Sequence, residues 1–251
     1  MPARIGRTAW RIGRRRAARG LGQKHLAELE WWKRALAQRV AWYSGESTMH
    51  GRPPPTPDGS LVGAAIETKA ALAALAVSLD RYPEALKIGR SHFSGKTILD
   101  LGCGPYPLSL AFEDCRIVGL DPLIRQYEDA GFPLSEFTDR ITFVCGFAEE
   151  MPFASQSFDA VISVNAIDHV DDFARAAREV SRVLKKNGVL RMQVHYHRPT
   201  KLEPWALNDD EVLAHLGHLG IEKVSEEVPS GHLRLSEADP DERLVVWAND
   251  V

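Results

Sequence analysis

The sequence has few cysteines and no long hydrophobic run. Its three cysteines, Cys103, Cys115 and Cys145, are unevenly spaced, which argues against a disulfide framework or a metal cluster and predicts buried free thiols in a reducing cytoplasm. The longest apolar stretch, residues 64–79, is interrupted by charged side chains and is shorter than the ~20 residues of a membrane-spanning helix. Of 251 residues, 44 % are hydrophobic and 26 % charged, which is enough for one large globular domain with an appended arm.

Acidic residues are absent from the first 24 positions, which hold eight basic side chains. The rest of the chain has 23 basic and 34 acidic residues, a net charge of −11, so the two parts differ electrostatically. Residues 1–20 lack the apolar core of a secretory signal. We expect residues 1–22 to form a basic arm that lies solvated against the acidic body, with an anionic membrane or an acidic partner as alternative contacts. The acidic body argues against nucleic acid as a partner.

A third glycine is missing from the turn that follows the first clear strand. From position 97 the sequence reads TILDLGCGPYP, a buried strand followed by glycines that let a backbone approach a ligand. The dinucleotide fingerprint needs another glycine where Pro107 stands, and Pro105 precedes it, so two N–H donors for a pyrophosphate are lost. Asp121 ends the next strand and suits the two hydroxyls of a ribose. The pattern favours a nucleoside without phosphates, and S-adenosylmethionine (SAM) is such a molecule.

Strands and helices alternate from residue 96 to about 220, which predicts a parallel sheet covered on both faces. Asn187 and Gly188 are typical of a turn between a helix and a strand. The last two strands have no helix between them and should form an antiparallel edge. The predicted strands are 97–101, 116–121, 141–145, 160–164, 189–194, 221–228 and 244–248; the predicted helices are a short one after the glycine turn, 122–127, 172–184 and 208–216.

Two helices are predicted before the glycine turn, at 23–44 and 61–80, joined by a proline-rich loop and ended by Arg81, Tyr82 and Pro83. The first is rich in tryptophan, and such residues more often pack in a core than bind a ligand. The alternative is that this helix covers an acceptor site where an indole such as Trp42 stacks on a sugar ring. We therefore divide the chain into a basic arm (1–22), a helical lid or extension (23–90) and a SAM-binding domain (91–251).

Between residue 96 and about residue 200 the sequence resembles the class I SAM-dependent methyltransferases of the small-molecule type. The motifs that carry the resemblance are ILDLGCGPYP, VGLD, GFAEEMPFASQSFDAVISVNAIDHVDD and AAREVSRVLKKNGVLRMQ. It implies an α/β fold with a Rossmann-like, seven-stranded, mostly parallel sheet whose last strand is antiparallel, with helices on both faces and an N-terminal helical extension. It also implies SAM as the cofactor and S-adenosylhomocysteine (SAH) as the product.

The resemblance also implies which residues contact the cofactor. Two positions depart from the family pattern. Tyr106 replaces a glycine of the turn, and Phe147 replaces the loop aspartate that commonly accepts from the adenine amino group, so we expect Glu149 or a backbone carbonyl to replace it. The implied contacts are Asp100, Gly102 and Gly104 for the methionine part, Asp121 for the ribose, Pro122 (with Leu123), Phe147, Ala148 and Glu149 around the adenine, and Asn165 at the sulfonium end.

Histidines and an aspartate follow the fourth and fifth strands, where ligands bind in such sheets. A hydroxyl acceptor needs a base or a metal, and His169 is the predicted base, with Asp168 orienting it or accepting the proton directly. His195 and His197 face the same side of an extended chain and, with Tyr196, are predicted substrate contacts; structural roles are the alternative for all these histidines. A divalent metal held by Asp168, His169, His195 and Glu203 is less favoured because these ligands have no fixed spacing.

The acceptor is predicted by elimination. Base methylation of DNA usually goes with Asn or Asp followed by Pro-Pro-aromatic after strand four, whereas here the run is NAID, and no cysteine sits where a cytosine C5 nucleophile would be. We predict transfer to a hydroxyl of a small molecule, a saccharide or another polar natural product. The alternatives are N-methylation of a small molecule and a non-catalytic SAM-binding or scaffold protein. The oligomeric state is not predicted.

Overall fold

The computed structural model describes residues 21–49, 51, 53, 63–200, 205–230 and 239–250. Nearly all of the predicted basic arm, most of the proline-rich loop and Glu203 lie outside the described residues. No helix within these ranges is long and apolar enough to cross a membrane.

A seven-stranded sheet organises the described chain, in the order β3-β2-β1-β4-β5-β7-β6. Strand β7 runs antiparallel to both of its neighbours, and the other pairs are parallel. The central strands are fully buried apolar runs because helices cover both faces. This confirms the predicted fold class. The strands are β1 (Thr97–Leu101), β2 (Arg116–Asp121), β3 (Ile141–Cys145), β4 (Phe158–Val164), β5 (Leu184–Tyr196), β6 (Glu222–Glu227) and β7 (Arg243–Ala248).

Six α-helices flank the sheet or precede it in the described part of the chain. Two of them begin after capping side chains, since Asp172 and Asn208 accept from the backbone N–H groups of Arg175 and Glu211. The helices are α1 (Gln23–Tyr43), α2 (Ile66–Ser78), α3 (Arg81–Leu86), α4 (Ile124–Asp129), α5 (Phe173–Val183) and α6 (Asp209–Leu216).

The junction between α5 and β5 differs from the prediction. The chain passes from helix to strand at Leu184, whose backbone is already extended, and no separate turn intervenes. Asn187 has a φ of 62° inside the strand. Leu184 pairs with Phe158 and Val189 with Ala160, so a bulge absorbs the residues that were predicted to form the turn.

Two further local predictions were wrong in detail. The segment after the glycine turn is a single 3₁₀ turn, Leu108–Ala111, and the backbone is already extended at Phe112. Residues 81–83 do not end a helix but begin α3, where Pro83 is tolerated in the first turn.

Helix α1 packs against the carboxyl ends of β1 and β2. Its Leu29 and Leu36 share an apolar cluster with Cys103, Tyr106 and Tyr127, so the helix belongs to the same packed body as the glycine turn. All three cysteines are free, as predicted, but only Cys103 is fully buried.

Position 102 requires a glycine because of its backbone conformation and because of a neighbouring side chain. Its φ is +75°, and an added Cβ would lie 2.3 Å from the Cβ of Ala166. We expect Gly102→Ala to lower the free energy of unfolding by roughly 2 kcal/mol or more, measured by chemical denaturation. Gly45, with a φ of +81° and open space around it, is the matched control, since Gly45→Ala carries the backbone strain without the clash. Equal losses in the two variants would show that the contact with Ala166 is unimportant.

Candidate active site

The carboxyl ends of the central strands open into a cavity of about 1140 Å³. Parallel strands end at one edge of the sheet, so the loops that follow them meet there. Asp100 is fully buried and is not part of the cavity wall; burial raises the pKa of its carboxyl to about 7. Leu123 is likewise fully buried and outside the wall. The other eight residues assigned to the cofactor by resemblance line the cavity: Gly102, Gly104, Asp121, Pro122, Phe147, Ala148, Glu149 and Asn165.

Asp121 is fixed in the wall by two backbone hydrogen bonds. Its Oδ2 accepts from the N–H of Gly104 at 3.0 Å and its Oδ1 accepts from the N–H of Leu123 at 2.8 Å. Each carboxylate oxygen can accept more than one hydrogen bond, so both oxygens can still receive a ligand hydroxyl. Burial raises the pKa of Asp121 to about 7, and the nearby charge of Glu28 adds to the shift.

Helix α1 covers the cavity with one of its faces. Trp32 lies over the glycine turn, with a ring atom 3.3 Å from where a Cβ on Gly104 would be. His25 meets the Phe147 ring edge-on, with 5.4 Å between ring centroids. The wall residues recur at helical spacing, as expected for one face of a helix: Lys24, His25, Glu28, Trp31, Trp32, Ala35, Gln38 and Arg39.

Lys24 connects the start of α1 to the loop after β4 through two hydrogen bonds. Its Nζ donates to the backbone carbonyl of His169 at 2.6 Å and to the carboxylate of Asp171. The same loop is held from the other side by Glu149, whose Oε1 accepts from the N–H groups of Asp171 and Asp172 at 2.7 and 3.3 Å. Glu149 therefore has a structural role in positioning this loop.

Because Asp121 is predicted to bind the ribose, the affinity for the cofactor should depend on pH, and the charge of Glu28 should affect the pH at which it changes. A ribose hydroxyl donates best to the ionised carboxylate, so SAH affinity should be full above the pKa of Asp121, about 7, and should fall as the pH is lowered through it. Glu28→Gln removes a charge that raises this pKa, so the fall should move to lower pH. Calorimetric titrations across this range measure both effects.

The matched control is Glu30→Gln, because Glu30 is an exposed residue of the same helix that pairs with Lys33. An affinity that does not change with pH in the unmodified protein, or a Glu28→Gln profile identical to that of the control, would contradict this explanation.

Asp168 joins the loop after β4 to the end of β5. Its side chain is fully buried, and its Oδ2 accepts from the backbone N–H of His195 at 3.0 Å. His169 and His195 both line the cavity, whereas Asp168 does not. The structure thus places Asp168 behind the two histidines, in a position to orient the loop.

His195 has a buried acidic partner that the sequence did not indicate. Its Nε2 lies 2.8 Å from Oε1 of Glu242, and both side chains are at most 3 % exposed. The two residues are 47 positions apart and come together because β5 pairs with β7, opposing His195 to Leu244. No local sequence motif indicates such a pair.

Three predicted substrate contacts lie away from the described cavity wall. Trp42 is 1 % exposed and belongs to the core. Tyr196 points to the opposite face of β5 from His195, where its hydroxyl donates to Asp209 and accepts from Trp247. His197 contacts the carbonyl of Arg198 through Nδ1 and the ring of His195 edge-on. We leave these three residues out of the proposed site.

Within the described ranges, no group of three or more His, Cys, Asp or Glu side chains is arranged to hold a metal ion. Glu203, the fourth ligand of the metal alternative, lies outside those ranges.

The central part of the chain is similar to known methyltransferases. Residues 99–192 match the family model described as a methyltransferase domain. The chain is 36 % identical over 97 residues to a sterol 24-C-methyltransferase of Debaryomyces hansenii, across 37 % of this chain and 26 % of that protein. It is 28 % identical over 171 residues to the 27-O-demethylrifamycin SV methyltransferase of Amycolatopsis mediterranei, across 60 % of this chain and 63 % of that protein. The matched segments thus span less than two thirds of these relatives.

A solved structure has a similar fold. A candidate methyltransferase from Bacillus halodurans C-125 superposes with a TM-score of 0.51 and 16 % identity, over 67 % of this chain and 98 % of that one. The described chain therefore has the fold of Rossmann-like methyltransferases. Its central part is similar to the methyltransferase-domain family, whose cofactor is SAM.

The residues present fit that cofactor. Asp121 can accept two further hydrogen bonds beside the glycine turn, and the turn itself carries Pro105 and Pro107, which offer no N–H to a phosphate. The wall combines a carboxylate with aromatic and small residues, as expected for a nucleoside without phosphates.

Proposed function

We propose that this protein transfers a methyl group from SAM to a hydroxyl of a small molecule, with a saccharide or another polar natural product as the favoured acceptor. The observation that supports this best is that the cofactor-motif residues and two histidines, His169 and His195, line a single cavity. At about 1140 Å³ it exceeds the roughly 300–1,000 Å³ of a pocket for one drug-sized ligand. It therefore has room for a cofactor and an acceptor side by side.

For this reaction the protein needs mainly to position the two reactants and to remove a proton. SAM supplies a methyl carbon that its sulfonium has already activated, and the acceptor oxygen must be held in line with the carbon–sulfur bond. In our proposal His169 takes the hydroxyl proton as the new carbon–oxygen bond forms. The bond from Lys24 to the carbonyl of His169 couples the position of this base to the position of α1, which we propose acts as a lid.

His195 is proposed to bind the acceptor. Its contact with Glu242 fixes the orientation of the ring. Polar side chains occur elsewhere on the wall, together with the half-exposed indole of Trp31. An aromatic surface beside hydrogen-bonding groups suits an acceptor rich in hydroxyls; the polar residues are Gln38, Ser47, Thr48 and Gln193.

The relatives support a small-molecule acceptor but differ in the atom that is methylated. One is named for a carbon of a sterol and the other for an oxygen of a rifamycin. The proposal of a hydroxyl therefore depends on the histidines of the cavity.

Release of SAH from SAM, measured with panels of hydroxyl-bearing compounds and their amine counterparts, tests the proposal. We expect turnover with members of the hydroxyl panel and none with the matched amines. Turnover with the amines alone would favour N-methylation, and SAH binding without turnover on either panel would favour the non-catalytic alternative.

A further inference from the structure

Two arginines of the cavity wall lack an acidic partner among the residues that the structure describes. Four basic side chains line the cavity: Lys24, Arg39, Arg81 and Lys87. Lys24 pairs with Asp171, and Lys87 pairs with Glu227 at 2.6 Å. Arg39 and Arg81 form no ion pair with any carboxylate in the described ranges. These two residues are therefore the basic side chains of the wall that no described carboxylate pairs with.

The surroundings of Arg39 satisfy its charge only in part. Its guanidinium carbon lies 4.0 Å from the centroid of the Tyr106 ring, which is a favourable cation–π contact, but its Nε is buried without a hydrogen-bond partner. Burial lowers the pKa of Arg39, the contact with Tyr106 opposes this shift, and the nearby charge of Arg81 adds to it. A buried donor without an acceptor and two adjacent like charges both cost free energy. A bound anion would relieve both.

The arginines lie next to the part of the cavity assigned to the cofactor. Tyr106, beneath Arg39, directly follows the glycine turn. Arg39 comes seven residues after Trp32, the residue over Gly104, and so lies on the same face of α1 roughly 10 Å along its axis. The prolines of the turn offer no N–H donors there. An acidic group at this end of the cavity must therefore be bound by side chains.

We propose that Arg39 and Arg81 form a subsite for a carboxylate group of a bound small molecule. The guanidinium fork matches the two oxygens of a carboxylate, and such charge-assisted bonds are among the strongest in proteins. Two ligands could bring this group: the amino-acid end of the cofactor, or an acidic acceptor such as a sugar acid. This inference rests on the proposed function, and the test separates the two sources.

The test is a calorimetric titration of three variants: Arg39→Gln, Arg81→Gln and the charge-conserving Arg39→Lys. The first arm compares SAH with 5′-methylthioadenosine, which has the same nucleoside and sulfur but no amino-acid end. The second arm, at saturating SAH, compares glucuronate and 4-hydroxybenzoate with glucose and methyl 4-hydroxybenzoate. Arg34→Gln is the control, because Arg34 is an exposed residue of α1 outside the cavity wall. Thermal unfolding establishes that each variant is folded.

We expect at least a roughly tenfold loss of affinity for the carboxylate-bearing member of one arm in the Gln variants. Its neutral counterpart should be unaffected, and Arg39→Lys should lose less. A selective loss of SAH assigns the subsite to the cofactor, and a selective loss of glucuronate or 4-hydroxybenzoate assigns it to the acceptor. Affinities within twofold of the Arg34→Gln control in both arms would overturn the inference. Failure of the proposed function is distinct, because the unmodified protein would then release no SAH from SAM with either panel of compounds, whatever the affinities of the arginine variants.

Discussion

Asp121→Asn should weaken SAH binding by roughly a hundredfold or more. The asparagine oxygen can still accept from one of the two backbone N–H groups that bind Asp121, those of Gly104 and Leu123, and thermal unfolding checks that the variant keeps its fold. The side chain loses the charge that strengthens two hydrogen bonds from the ribose, each worth roughly 1.5–3 kcal/mol. Together these bonds correspond to at least two orders of magnitude in affinity, measured by calorimetric titration.

The matched control is Asp129→Asn, which makes the same change at an exposed residue of α4. SAH affinity that stays within about fivefold of this control would contradict the assignment of Asp121 to the ribose.

His169→Ala should lower the rate of methyl transfer by roughly 10²- to 10⁴-fold, the usual contribution of a positioned general base. SAH affinity should stay close to that of the unmodified protein, because the backbone carbonyl that binds Lys24 is retained. Single-turnover rates measure the loss of methyl transfer, and calorimetric titration measures the affinity for SAH.

His218→Ala is the control for this variant, since His218 is an exposed histidine that contacts Ser181. If His169→Ala turns over like the control, His169 is not the base. His195→Ala, examined in parallel, then shows whether the histidine paired with Glu242 removes the proton instead.

Much of the sheet could be predicted because its strands are short apolar runs between glycine, proline and charged residues. The run ILDL before the glycines and the acid at Asp121 locate β1 and β2 almost to the residue. The start of β5 could not be located in this way. Asn187 and Gly188 have the composition of a turn, but strand pairing with β4 extends back to Leu184 and converts them into part of a bulge.

The site was predictable where it follows the motifs and not where it depends on packing. The glycine turn and the loops after β3 and β4 carry residues in a recognisable order. Glu28 and Arg39 come from a helix whose periodicity indicates a buried face but not what that face covers. Glu242 reaches His195 only through the pairing of β5 with β7, a contact that no spacing along the chain reveals.

The central claim is that the cavity beneath α1 binds SAM through Asp121 and the glycine turn. The most direct test is a calorimetric titration of the unmodified protein with SAH between about pH 6 and about pH 8, a range that spans the pKa of Asp121, raised to about 7. Our account predicts binding of one SAH per chain, with affinity falling at the acidic end. No detectable binding anywhere in this range would contradict it.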